Sequence, residues 1–186
     1  MNKKGKLYII SAPSGTGKST VIRELLKKKD NAFFSVSATT REPREGEVNG
    51  VNYWFLTRPE FERMVEEGAF LEHAQYVGNY YGTPLQPILD SMAAGNDAIL
   101  DIEVQGFRQI KQKMPEAVSI FIVPPSMEEL ERRLRSRGTD SEERIRQRLA
   151  QAERELEMSP FYDKVVTNDV VQRVTDEILA FMDQSR

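Results

Sequence analysis

The stretch Ser11-Ala12-Pro13-Ser14-Gly15-Thr16-Gly17-Lys18-Ser19-Thr20 narrows what this chain can become more than any other. An apolar run, Leu7-Tyr8-Ile9-Ile10, leads into it, and Val21-Ile22-Arg23-Glu24-Leu25-Leu26 leaves it with helical spacing. Strand, glycine-rich turn and helix start, in that order, make a P-loop. Its backbone N–H groups converge on phosphate oxygens at the positive end of a helix. Lys18 is expected to reach the β- and γ-phosphates of a nucleoside triphosphate, and Ser19 to offer its hydroxyl to Mg²⁺. The general pattern has glycine where this chain has Ala12, so the reading rests on Gly17-Lys18-Ser19 in its strand–helix context.

With 186 residues there is room for one globular domain with lobes inserted in it, and not for two complete α/β domains. A net charge of −3 with 30% charged residues gives a mixed surface, without the basic excess that nucleic-acid binding calls for. There is no cysteine, which excludes a disulfide framework and a thiolate metal site. The apolar run behind the basic residues 1–6 is too short for a secretory signal, and no segment has the length of a membrane span. A cytoplasmic protein without nucleic-acid or membrane partners is expected; a homo-oligomer is left open.

Beyond the loop, periodicity lays out alternating strands and helices. Val21, Ile22, Leu25 and Leu26 share one face of a first helix, and Lys27-Lys28-Lys29 suits its C-terminal end. Phe33-Phe34-Ser35-Val36-Ser37 reads as a second strand. The run 38–47 is too poor in apolar residues for a core element, and its arginines and hydroxyls mark an ordered functional loop. Asn49-Gly50 signals a turn ahead of a strand at 51–56. Thr57 and Glu60 form a capping box for a helix that turns Phe61, Met64 and Val65 to the core and stops at Gly68. Residues 70–81 are expected to form a hairpin turning at Gly78-Asn79.

A helix at 84–94, a buried strand at 98–102, a helix at 104–113 and a buried strand at 118–123 follow. Capping boxes at Ser126–Glu129 and Asp140–Glu143 open helices running to about 135 and 158. A strand at 164–168 and an amphipathic helix at 171–182 complete the pattern. Continuous apolar strands separated by helices predict an α/β fold: a P-loop NTPase core whose parallel sheet is flanked by helices. Tyr8, Phe33, Phe34, Trp54, Phe55 and Phe121 are expected in the core.

A P-loop implies only phosphate binding, so the acceptor has to be read elsewhere. Residues 37–84, a small β-rich insertion, collect Ser37, Arg41, Arg44, Tyr53, Glu72, Tyr81 and Thr83, and Asp101 stands at a later strand end. Two arginines on one loop offer planar forks that grip phosphate bidentately, and tyrosine hydroxyls complete such a cage. A carboxylate beside hydroxyls suits guanine: it accepts from N1–H and the 2-amine while a hydroxyl donates to O6. Adenine, with a lone pair at N1, would be repelled. Chemistry alone does not single out Glu72 among the chain's many acids.

Here whole blocks resemble guanylate kinases. Residues Ser35-Val36-Ser37-Ala38-Thr39-Thr40-Arg41-Glu42-Pro43-Arg44-Glu45-Gly46-Glu47-Val48-Asn49-Gly50, with Tyr53, are similar to the family signature. Gly78-Asn79-Tyr80-Tyr81-Gly82-Thr83 and Ile99-Leu100-Asp101-Ile102-Glu103-Val104-Gln105-Gly106 resemble two further blocks, and the similarity runs from Gly5 to the final helix. The family's loop commonly reads Ser-Ala-Pro-Ser-Gly-x-Gly-Lys-Ser, so Ala12 is in keeping with it.

The resemblance implies a core of 1–36, 85–125 and 159–186, a GMP-binding lobe at about 37–84 and a helical lid at about 126–158. It implies ATP bound by Ala12, Pro13, Ser14, Gly15, Thr16, Gly17, Lys18, Ser19 and Thr20. The GMP phosphate falls to Arg41, Arg44, Tyr53 and Tyr81, and guanine to Ser37, Glu72 and Thr83. Asp101 contacts the base or an arginine, or organises Mg²⁺ through water. Arg133, Arg137 and Arg148 close over the triphosphate and, with Lys18 and Arg41, carry the catalysis. The implied reaction is ATP + GMP giving ADP + GDP, with Mg²⁺ as cofactor and dGMP left open.

An acceptor phosphate is already largely ionised near neutral pH, so no strong base is needed and His73 is expected to pack rather than shuttle protons. Arg132, Arg135, Arg144, Arg146 and Arg154 stand among acids as solvated helical partners worth a few tenths of a kcal/mol each, about the i,i+4 norm. Two other readings remain at this point: a non-catalytic, guanylate-kinase-like module binding phosphorylated peptides, and a P-loop kinase of another small phosphorylated acceptor.

Overall fold

The computed structural model describes residues 4–136, 138 and 140–185. In chain order the strands are β1 Leu7–Ser11, β2 Ala32–Phe34, β3 Ala38–Thr39, β4 Trp54–Phe55, β5 Phe70–Tyr76, β6 Asn79–Pro84, β7 Asp97–Asp101, β8 Val118–Val123 and β9 Lys164–Thr167. The helices are α1 Lys18–Lys28, α2 Arg58–Glu66, α3 Leu85–Ala93, α4 Val104–Lys113, α5 Met127–Ser136, α6 Glu142–Leu156 and α7 Val171–Gln184.

Strands β2 and β7 pair in parallel, and β1, β8 and β9 form another parallel group in which β8 pairs with both β1 and β9. All five residues of β1 are buried, as a strand covered on both faces requires. A second sheet has the order β4-β3-β6-β5; β3 and β6, and β6 and β5, run antiparallel.

The chain divides into two compact units, one of residues up to 7, 31–100 and 105–117, the other of 8–30, 101–104 and 118 onward. In the first, Ala38, Phe61 and Phe70 form a buried cluster with Leu56, Met64, Val65 and Tyr80 packed around it. Thr57 accepts from the Glu60 N–H and Glu60 reaches back to the Thr57 N–H, so the expected capping box starts α2. In the second, Leu130, Leu134 and Ala152 pack α5 on α6. Tyr8 is fully buried and donates its hydroxyl to the carbonyl of Met182 in α7.

Several local expectations shift. The strand expected at 33–37 ends at Phe34, because Ser37 already belongs to the second sheet's neighbourhood, its carbonyl accepting from Trp54. Ala38 and Thr39, expected in a loop, form β3; one buried alanine under Phe61 suffices where periodicity has nothing to read. The strand expected at 51–56 shrinks to β4. Asn52 accepts the Val48 N–H, Asn49 accepts that of Phe55, and such side-chain bonds compete with a ladder. Trp54 is 45% exposed rather than core.

The hairpin turns at Val77-Gly78, one residue earlier than expected, with φ of 47° and 79°. Both values suit the two-residue turn that matches strand twist. At α5, Ser126 accepts from the Glu129 N–H, but the Glu129 carboxylate turns to Arg132 and Arg133 and leaves the box half made.

Candidate active site

Two groups of the expected residues assemble, one in each unit. In the second unit β1 delivers the loop and α1 begins at Lys18, with Gly17 as its N-cap at φ 94° and no side chain capping the first turn. A Cβ on Gly17 would lie 2.7 Å from Asn168 Nδ2, so the position needs glycine both for its backbone and for space. The Lys18 ammonium is paired with the Asp101 carboxylate. Ser19 stands exposed in the first turn. Asp101, whose role the sequence leaves open among three, is thus a partner of the loop lysine. Glu155 of α6 is held above the usual carboxylate range by burial, with Glu103 adding to the rise and Lys18 opposing it.

The back of the loop is tied down by residues that spacing does not reveal. Asn168, at the end of β9 and 3% exposed, donates to the Thr16 carbonyl at 2.6 Å. Arg133 donates to the same carbonyl at 3.2 Å and to the Asn168 carbonyl at 3.0 Å, while Glu129 holds its Nε at 2.8 Å. Hydrogen bonds from Arg132 and Arg133 press Glu129 down to about 2. Arg148 pairs with Asp140 at 3.2 Å. Arg137 lies outside the described residues. Replacing Asn168 with leucine removes one of two donors to a buried carbonyl, and urea unfolding should show a loss of about 1–3 kcal/mol. An unchanged midpoint would show that the bond contributes nothing.

In the first unit the antiparallel hairpin sorts its side chains by face. Phe70 and His73 both pack near Phe61, at ring distances of 4.4 and 6.5 Å, although they are three residues apart. A bulge between Phe70 and Glu72 supplies the extra residue that makes this possible. Glu72 is therefore directed to the opposite face, where its Oε1 accepts from the Thr83 hydroxyl at 2.6 Å in a buried pair. Tyr81, two residues before Thr83, shares that face, and its ring lies 6.1 Å from Tyr53. His73, as expected, packs against aromatic rings.

Arg41 lies over the rings of Tyr53 and Phe55, at 5.4 and 5.8 Å, and pairs with Glu47 at 2.8 Å. Glu47 pushes the Arg41 guanidinium up, with Tyr81 contributing a hydrogen bond. Arg41 in turn draws Glu47 below the carboxylate range, helped by the Arg44 N–H. Sequence periodicity does not single out Glu47; its place six residues after Arg41 on one loop is the local signal for it. The Arg44 side chain is exposed. Among the described residues no cluster of three or more His, Cys, Asp or Glu side chains could hold a metal, and no helix is long and apolar enough to cross a membrane.

Comparisons with known proteins agree with one another. The family model described as guanylate kinase matches residues 4–185. A guanylate kinase of Prochlorococcus marinus (strain MIT 9312) is 49% identical over 179 residues, covering 96% of this chain and 97% of its own. One of Desulfitobacterium hafniense (strain Y51) is also 49% identical, over 178 residues, covering 96% and 89%. Among solved structures, the guanylate kinase of Anaplasma phagocytophilum superposes with a TM-score of 0.79 at 36% identity, covering 98% of this chain and 87% of that one.

Proposed function

Since this chain belongs to the guanylate kinase family and phosphorylates GMP with ATP, we propose how its residues divide that work. Glu72 reads guanine by accepting from N1–H and the 2-amine. Its bond from Thr83 supports this reading most directly, because it holds a buried carboxylate at a defined angle on the face that carries Tyr81. With the Thr83 proton committed to Glu72, the donor to O6 is Ser37. Arg41, Arg44, Tyr53 and Tyr81 hold the acceptor phosphate. Glu47 keeps Arg41 extended over the two rings until a phosphate competes for it.

On the donor side the loop from Ala12 to Thr20 cradles the ATP phosphates through its backbone N–H groups, Pro13 having none to give, and Lys18 leaves Asp101 to reach the γ-phosphate. Arg133, Arg137 and Arg148 offset its charge further. The donor set fits magnesium: Ser19 and Asp101 offer hard oxygens, and this ion takes few protein ligands beside substrate phosphates. When bound, it would neutralise negative charge on the transferred group. Transfer itself needs the acceptor oxygen in line with the γ-phosphorus and cations against the charge spread over its oxygens, and no general base. Mg²⁺ dependence and a cytoplasmic location belong to this proposal.

A panel of GMP, IMP, AMP, CMP and UMP with Mg-ATP, followed by coupled ADP release, tests it. GMP should be turned over far faster than AMP. Equal rates for the two would remove the guanine-reading role from Glu72.

A further inference from the structure

Glu72 sits on an edge strand, since β5 ends the order β4-β3-β6-β5. An edge strand leaves one row of backbone groups without a neighbouring strand, and a bulge in it loosens the local ladder further. A specificity residue placed beside a bulge on an edge needs something to hold its backbone. Helix α4 provides it.

Gln109 donates from Nε2 to the His73 carbonyl at 2.9 Å and accepts the His73 N–H on Oε1 at 3.2 Å. One amide side chain thus satisfies both backbone groups of one residue, as a neighbouring strand would. One helical turn on, Lys113 donates to the Phe70 carbonyl at 3.0 Å. Positions i and i+4 of a helix lie on one face, so the two side chains reach the same strand together. They grip the residues on either side of the bulge, Phe70 and His73, with Leu71 and Glu72 between them. Phe107 and Ile110, both buried, anchor α4 itself.

We propose that Gln109 and Lys113 are positioning residues for guanine selectivity: they fix the bulge that directs the Glu72 carboxylate away from the Phe61–Phe70–His73 face. This rests on the reading of Glu72 as the guanine acceptor. Both side chains are spent on the backbone of β5, and Glu72 itself takes its bond from Thr83. Without the clamp the edge can return to regular alternation, which turns residue 72 toward the aromatic face.

The test compares kcat/KM for GMP with that for IMP, which lacks the 2-amine, in Gln109→Met, Lys113→Met and Lys113→Arg, with Glu72→Gln as reference. Gln109→Met keeps the length and removes both bonds. The GMP-over-IMP preference should fall about tenfold, the scale of a lost oriented hydrogen bond. KM for GMP should rise and KM for ATP stay unchanged. Lys113→Met should act in the same direction and Lys113→Arg restore the preference, so the reading stands on Lys113 if Gln109→Met does not fold. A drop in melting temperature with the preference intact would show plain edge protection and overturn the proposal. If Glu72→Gln collapses the preference while both methionine variants keep it, the clamp alone is refuted. If Glu72→Gln also keeps it, the guanine reading falls and the clamp's role with it.

Discussion

Lys18→Met should reduce kcat for GMP phosphorylation by about a thousandfold or more, the scale of losing a preorganised cation at developing phosphate charge. The methionine matches the aliphatic stem, so packing is kept and the ammonium alone is lost. In the protein the Lys18 side chain is 16% exposed and paired with that of Asp101, itself 31% exposed. The carboxylate left behind is still reached by water, so the variant should fold. ATP should bind with a much smaller loss than kcat suffers, because the loop's N–H groups remain. A coupled ADP assay beside a thermal melt decides the matter: a folded variant with the wild-type rate would take the P-loop lysine out of the mechanism. Asp101→Asn is the informative companion. It releases Lys18 without deleting it, so its loss should be smaller than that of Lys18→Met.

The second large effect concerns the acceptor. Glu72→Gln should lower kcat/KM for GMP about a hundredfold and leave KM for ATP unchanged, since a donor would then face a donor in a site that excludes water. Glu72 is 8% exposed, so water cannot repair the mismatch. The amide can rotate its oxygen toward one guanine donor, and the other is then left facing N–H. Thr83 can still donate to the amide oxygen, which keeps the fold and isolates the chemical change. A GMP kcat/KM equal to wild type in this variant would show that the carboxylate is not the guanine acceptor.

Much of this was legible along the chain. The α/β alternation, the parallel sheet and the loop follow from apolar runs and glycines within a few residues of one another, and the helix start at Thr57–Glu60 was local too. Misreadings cluster where structure depends on remote partners. Trp54 looks like core in a hydrophobic run, yet Asn49 and Asn52 take up the backbone around it and leave it exposed. Ala38 looks like loop and is buried under rings from α2 and β5. Glu47 and Asn168 follow no strand or helix periodicity: one matters because it meets Arg41, the other because it reaches a carbonyl 152 residues away.

The sequence by itself determined that a triphosphate loop exists and where its lysine stands. A P-loop is built from short-range backbone conformations, such as φ 94° at Gly17, that ten consecutive residues encode. Resemblance extended this to the acceptor residues by position. Only the tertiary structure decided which way those residues face. The direction of Glu72 depends on a one-residue bulge held against helix α4, and a shift of one residue reverses every side chain on a strand. Strand facing is a property of pairing between distant segments, and no local pattern contains it.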